Sequence, residues 1–126
     1  MPGILRSHHP MRHIKSFKYA FEGIWHAMLN EPNFRVQIVI LFFACTLGIF
    51  FKISNIEWAL LTISMGALLA AEILNTVVEE FIDALIKEYH EGAKVIKDMS
   101  AGFVLISAAS ALVILYLIFG HRIFFS

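Results

Sequence analysis

The sequence predicts an all-α membrane protein, an amphipathic N-terminal surface helix followed by three transmembrane helices. Three observations predict it. Hydrophobic residues make up 59% of the 126 and charged residues only 16%, with a mean hydropathy of +0.74. A soluble domain sits near 45–50% apolar and about 25% charged, and a chain this short buries too little of its surface to hide the excess. Second, three almost wholly apolar runs are long enough, with their flanks, to cross a hydrocarbon core of about 30 Å. Third, a shorter stretch ahead of them repeats its apolar residues at helical spacing, with basic residues on the opposite face.

Residues 1–11, with Pro2, Gly3 and Pro10, read as a flexible tail. The remainder, 12–126, reads as one integral-membrane domain. In 12–31, Ile14, Phe17, Phe21, Ile24, Trp25 and Met28 form one apolar face, while Arg12, Lys15, Lys18 and Glu22 fall largely on the other. That pattern suits a helix lying in the membrane interface. Pro32 interrupts it. The first span is expected over about 34–52, with Lys52, Ser54 and Asn55 as a short polar connection. The second covers 56–86, and Tyr89 to Gly92 read as a polar break. The third covers about 98–120, closed by Gly120 and His121.

Basic residues set the expected topology. Arg6, Arg12, Lys15, Lys18 and Arg35 precede the first span, and Lys87, Lys94 and Lys97 separate the second from the third. The other connection offers only Lys52 and the C-terminus only Arg122. The positive-inside rule therefore puts the N-terminus in the cytoplasm and the C-terminus outside. No early apolar stretch with a cleavage site is visible, so the spans themselves are expected to target the chain. Lys plus Arg and Asp plus Glu number 10 each, which argues against nucleic acid as a partner. Cys45, the single cysteine, lies in an apolar run and reads as a packing residue.

The chemistry concentrates in residues 72–98. Glu72, Asn75, Glu79 and Asp83 follow spacings of three, four and four and so stack on one helix face. From Ile56 to Glu72 the helix climbs roughly 24 Å, which leaves Glu72 within hydrocarbon depth. Glu79 lies about 10 Å further along, near the cytoplasmic interface. A carboxylate at the membrane centre costs about 2.5–3.5 kcal/mol on insertion scales, so an acidic stripe points to function rather than packing. Its inner member sits where the hydroxyl of a membrane lipid would lie, and an apolar setting makes a carboxylate a better base for that proton. Carboxylates near the interface suit magnesium, a hard cation that shares its ligands with substrate phosphates. Lys94 and Lys97 can offset polyphosphate charge. Glu31, at the junction of surface helix and first span, is expected at the level of Glu79. Glu80 lies about 100° round the helix from Glu79 and reads as solvated or facing another subunit. The seven glycines are too scattered for a phosphate-binding glycine loop, so a nucleotide site must be built from side chains.

The stretches EILNT with its trailing Glu79 and Asp83, EYHEGAKVIKD and NEPNFR closely resemble motifs of the prokaryotic diacylglycerol kinase family, which includes the undecaprenol kinases. KSFKYAFEGI is nearer the undecaprenol-kinase branch. The resemblance covers about residues 12–120. It implies a homotrimer of three-span subunits in the bacterial inner membrane, with active sites shared between neighbours and magnesium-ATP as phosphate donor. It also implies Glu72 as general base, with Asn75 and Asp83 completing the polar site, and Glu31 and Glu79 as metal ligands. ATP would be contacted by Arg12, Tyr19, Glu31, Glu79, Glu88, Tyr89, His90, Lys97 and Asp98. The lipid alcohol would be held by Lys15, Ser16, Phe17, Lys18, Ala20, Gly23, Trp25, His26, Phe34 and Arg35, beside Glu72. Gln37 and Glu22, near the lipid entrance, fall where family members vary in charge and bear on substrate choice.

Two other classes compete. An ion- or proton-conducting oligomer needs acidic residues spread through the membrane depth, whereas here they gather on one side and the third span carries none between Ala101 and Phe119. A non-catalytic assembly factor predicts loss of site residues, yet Glu31, Glu72, Asn75, Glu79, Lys97 and Asp98 are all present. A lipid kinase accounts for the whole pattern.

Overall fold

The computed structural model describes residues 10–125, and every regular element among them is helical. The surface helix α1 spans Pro10–Asn30, and α2 spans Pro32–Phe50. The long helix α3 runs Asn55–Leu85, and α4 runs Glu91–Leu115. A π-helical turn, Tyr116–Gly120, then leads without a break into α5, His121–Phe124. Three helices are long and apolar enough to cross a membrane: Pro32–Phe50, Asn55–Leu85 and the continuous rod Glu91–Phe124. Most of the expected tail lies outside the described residues, but Pro10 and Met11 belong to α1. Proline is well suited to a first helical turn, where its missing N–H has no partner to lose.

Each boundary has a local cause. Pro32 disfavours helical backbone at the residue before it, and Glu31 sits at φ −106° and ψ 105°, an extended kink between α1 and α2. Arg35, in the first turn of α2, reaches back across that kink. Its Nη1 donates to the carbonyls of Met28 at 3.2 Å and Leu29 at 2.8 Å, capping the end of α1. The α2–α3 turn is a Schellman motif: the Ile53 N–H bonds the Gly48 carbonyl at 3.1 Å and the Lys52 N–H bonds Ile49 at 3.3 Å. Lys52 takes the left-handed position, φ 52°, that glycine usually fills. Ser54 then starts α3 with a capping box, its Oγ accepting from the Glu57 N–H and its own N–H donating to Glu57 Oε2.

The break after α3 lies at residues 86–90, slightly ahead of the expected Tyr89–Gly92, and α4 begins about two turns before the expected third span. His90 explains the early start. Its Nδ1 accepts from the Ala93 N–H at 3.3 Å as an N-cap. Gly92 leaves room for the ring, since a Cβ there would approach His90 Cε1 to 3.0 Å. At 31 residues α3 is about 46 Å long, well beyond a hydrocarbon core of about 30 Å. Its C-terminal turns carry the acidic residues Glu79, Glu80 and Asp83.

α3 packs most extensively on α4, and α2 lies against α3. The core gathers at the end of the bundle near the α2–α3 turn, from Ala44, Ile53, Leu61, Met65, Leu68, Ala111, Ile118 and Phe119. Elsewhere the helices turn apolar side chains outward. Only 22%, 39% and 17% of the three span windows are buried inside the chain, so most of their surface must meet lipid or another copy. On α1 every residue from Pro10 to His26 is exposed, including Ile14, Phe17, Phe21, Ile24 and Trp25 of the apolar face.

Candidate active site

The helical spacing of the acidic stripe is realised on α3, with burial that grades along it. Glu72 is 2% exposed and Asn75 is buried, whereas Glu79 is half-buried and Asp83 exposed. Glu72 is the only buried carboxylate among the described residues. Gln37 on α2 donates from Nε2 to Glu72 Oε2 at 3.1 Å, and Thr76 Oγ1 bonds the Glu72 carbonyl at 3.1 Å. One turn along, Asn75 Nδ2 donates to Glu79 Oε1 at 3.2 Å. The amide oxygens of Gln37 and Asn75 are both buried without a partner. Glu72 and Gln37 border a groove of about 320 Å³ whose other walls are Asn33 and Val36 of α2 and Ala101, Val104, Leu105 and Ala108 of α4.

The Gln37–Glu72 bond also sets the register of two antiparallel helices. Glu31 lies six residues before Gln37, about 9 Å toward the start of α2, and Glu79 seven residues after Glu72, about 10 Å toward the end of α3. Because α2 and α3 run in opposite directions, both offsets point the same way and the two carboxylates share a level. Glu31 is half-buried and its side chain makes no cap hydrogen bond to α2. No cluster of three or more metal-ligating side chains occurs among the described residues. Two carboxylates are nevertheless the usual protein share for magnesium, which takes its other oxygens from water and phosphate. Glu79 takes the Asn75 hydrogen bond on Oε1 and leaves Oε2 uncommitted. The donor set therefore fits that ion.

Beyond Asp83 the polar stripe opens into a cleft of about 280 Å³ between the end of α3 and the start of α4. Glu88, Tyr89, His90, Lys97 and Asp98 line it, with Asp83 and Lys94. Lys97 Nζ pairs with Asp83 Oδ1 at 2.9 Å and Lys94 Nζ with Asp98 Oδ2 at 2.5 Å. Thus five of the nine residues implied for ATP meet in one place. Arg12 and Tyr19, exposed on α1, do not line this cleft, nor do Glu31 and Glu79.

The residues implied for the lipid divide differently. Ala20, Gly23 and His26 border a mainly apolar groove of about 640 Å³ between α1 and α3, with Ile73, Val77 and Phe81 opposite. Glu80 also lines this groove and is exposed, consistent with its separation from Glu79 around the helix. Lys15, Phe17, Lys18 and Trp25 are exposed elsewhere on α1. Ser16 turns its hydroxyl back to the Arg12 carbonyl at 3.0 Å. Phe34 is buried, and Arg35 is committed to the α1 carbonyls.

The sequence pattern of prokaryotic diacylglycerol kinases matches residues 18–119, a stretch that holds the acidic stripe, the cleft and the groove together. The chain belongs to this family. It is 33% identical over 108 residues to the undecaprenol kinase of Bacillus subtilis, covering 86% of this chain and 88% of that one. It is 32% identical over 102 residues to the diacylglycerol kinase of Escherichia coli K12, covering 81% and 84%. The diacylglycerol kinase of Haemophilus influenzae is 32% identical over 112 residues, covering 89% and 92%. With three helices of membrane-spanning length and bacterial relatives, this is a bacterial membrane protein of a lipid kinase family.

Sequence reasoning missed the role of Gln37, reading it only as a residue near the lipid entrance. A lone amide inside an apolar span was a signal of some buried polar contact. Nothing in the spacing connects residue 37 with residue 72, which only the packing of α2 on α3 brings together. The capping role of Arg35 was hidden for the same reason.

Proposed function

We propose that the protein is an ATP-dependent kinase of a membrane lipid alcohol, with Glu72 as general base. The observation that carries this reading is the buried Glu72 carboxylate, on the same α3 stripe that leads to the cleft holding Lys94 and Lys97. Glu72 takes the proton of the lipid hydroxyl as its oxygen attacks the γ-phosphorus. The new O–P bond forms in line with the breaking bond to the β-phosphate oxygen, and ADP leaves. Lys97, with Glu88, Tyr89, His90 and Asp98 around it, holds the nucleotide phosphates at the cytoplasmic end of α3 and α4. Glu31 and Glu79, with Asn75 orienting Glu79, would hold magnesium. When bound, that ion neutralises the phosphate charge that builds in transfer.

Arg12 and Tyr19 reach the nucleotide from the α1 of a neighbouring subunit, in a homotrimer whose sites are shared. The large outward apolar surface of α2, α3 and α4 is compatible with such an assembly. The N-terminus and the α3–α4 connection face the cytoplasm and the C-terminus faces outside, in accord with the distribution of basic residues. The lipid lies against the α1–α3 groove. Its identity is undecaprenol or diacylglycerol, and KSFKYAFEGI favours undecaprenol.

Phosphate transfer from γ-labelled ATP in detergent micelles tests this, with undecaprenol and diacylglycerol offered separately, with and without magnesium. Label entering one lipid, lost in Glu72→Gln and without magnesium, is the expected outcome. No label in either lipid from folded, oligomeric protein would overturn the kinase reading and favour a scaffold.

A further inference from the structure

We infer that Gln37 is a positioning residue for Glu72, fixing which oxygen of that carboxylate faces the lipid hydroxyl. The inference rests on the reading of Glu72 as general base. A carboxylate at the end of a Glu side chain has a broad terminal torsion, so burial alone does not aim it. Among the described residues its side chain takes one protein hydrogen bond, from Gln37 Nε2 to Oε2 at 3.1 Å. That bond engages Oε2 and leaves Oε1 as the oxygen available to accept a proton.

The amide has only one workable orientation. With Oε1 of Gln37 turned toward Glu72, two acceptors would face each other and the bond would vanish. With Nε2 toward Glu72, Gln37 Oε1 is left buried and unpartnered. A leucine or methionine would fill the same space in this apolar span without stranding an acceptor. The one contact that separates Gln37 from those residues is its hold on Glu72. Both side chains border the same groove, and α2 and α3 are rigid elements on either side of it. A small rotation of the carboxylate away from the attacking oxygen is costly, since a displacement of about 1 Å in an active site lowers rates by as much as 100-fold.

The test measures kcat and both KM values in micelles for Gln37→Met, Gln37→Asn, Glu72→Asp, Glu72→Gln and the double variant Gln37→Met with Glu72→Asp. Methionine keeps the reach and removes the donor. Asparagine keeps the amide but stops short by one methylene, and it keeps the variant polar if the methionine protein does not fold. Either is expected to lower kcat by up to about 100-fold, the loss that a misplacement of about 1 Å brings, with both KM values near wild type. In the Glu72→Asp background the shortened acid no longer meets Gln37, so adding Gln37→Met is expected to cost nothing further. A role in packing alone would give additive losses and a lowered unfolding midpoint instead. Wild-type kcat in both Gln37 variants, with Glu72→Gln inactive, would overturn the positioning role and leave the general base standing. An active Glu72→Gln would remove the base assignment itself.

Discussion

Arg122 forks onto Glu57, with Nη1 2.7 Å from Oε1 and Nη2 3.1 Å from Oε2. The two residues are 65 apart in sequence and tie the last helical turns of the chain to the first turn of α3. Glu57 Oε2 also accepts the Ser54 N–H at 2.8 Å, so one carboxylate closes a capping box and a long-range clamp together. Arg122 Nη1 bonds the Ile118 carbonyl as well, inside the π-helical turn. The guanidinium thus adds a side-chain donor to a carbonyl of that turn.

Removing Arg122 should therefore loosen the end of the bundle farthest from the acidic stripe. Arg122→Gln is expected to lower the thermal unfolding midpoint in detergent, and Glu57→Ala to lower it further because the helix cap goes too. Glu57 is 15 residues from Glu72, about 22 Å along α3, so phosphate transfer well below the midpoint should stay at wild-type level. Equal drops for the two variants would show that the cap adds nothing to the clamp.

Lys52 makes the opposite kind of prediction. At φ 52° its backbone is left-handed, a state that costs an ordinary L-residue about 1–2 kcal/mol and glycine almost nothing. Both Schellman hydrogen bonds are made by backbone groups and survive substitution. Lys52→Gly is expected to raise unfolding stability by up to about 1 kcal/mol, the difference shrinking because glycine also loosens the unfolded chain. Equilibrium unfolding in mixed micelles with increasing denaturing detergent measures it.

Gly48 tests the close approach of α2 and α3. A Cβ added there would lie 2.7 Å from Trp58 Cη2 and 3.1 Å from Ile53 Cδ1. Gly48→Ala forces the indole aside and is expected to cost about 1–3 kcal/mol, the usual range for overpacking. Trp58→Phe removes the offending ring edge, so the double variant should recover part of that loss. Purely additive losses in the unfolding cycle would mean that the indole is not what the new methyl meets.

What could be read without coordinates depended on whether the signal was local. The acidic stripe follows from a single helix period on α3, and the three spans from apolar runs bounded by Lys52 and by the polar connection after Ile86. Pro32 announces the kink at Glu31 because its restriction acts on the preceding residue. The π turn at Tyr116–Gly120 was illegible, since YLIFG carries no residue that demands an extra residue per turn. The clustering of Glu88, Tyr89, His90, Lys97 and Asp98 was half legible: EYHEGAKVIKD places them near each other, but only the turn of α4 against α3 brings Asp83 to Lys97. Gln37 and Arg35 act across helix pairs, and no periodicity within one helix reports such contacts.

The Asp83–Lys97 pair bears directly on nucleotide binding under the proposed function. Lys97 Nζ is 2.9 Å from Asp83 Oδ1 in the cleft, and both side chains are substantially exposed, so the pair contributes little to stability. A phosphate entering the cleft competes with Asp83 for the same ammonium. Lys97→Met removes a charged hydrogen-bond donor, and the KM for ATP is expected to rise about tenfold or more, with the lipid KM little changed. Asp83→Asn frees Lys97 from its carboxylate without removing the cation, so its effect on the ATP KM should be far smaller, or in the direction of tighter binding. Raising salt should increase the wild-type KM and flatten the difference for Lys97→Met, since an exposed cation is screened. Matched losses in the two variants would instead mean that the pair matters to the cleft as an intact ion pair, holding α4 against α3, rather than through the charge that Lys97 offers to phosphate.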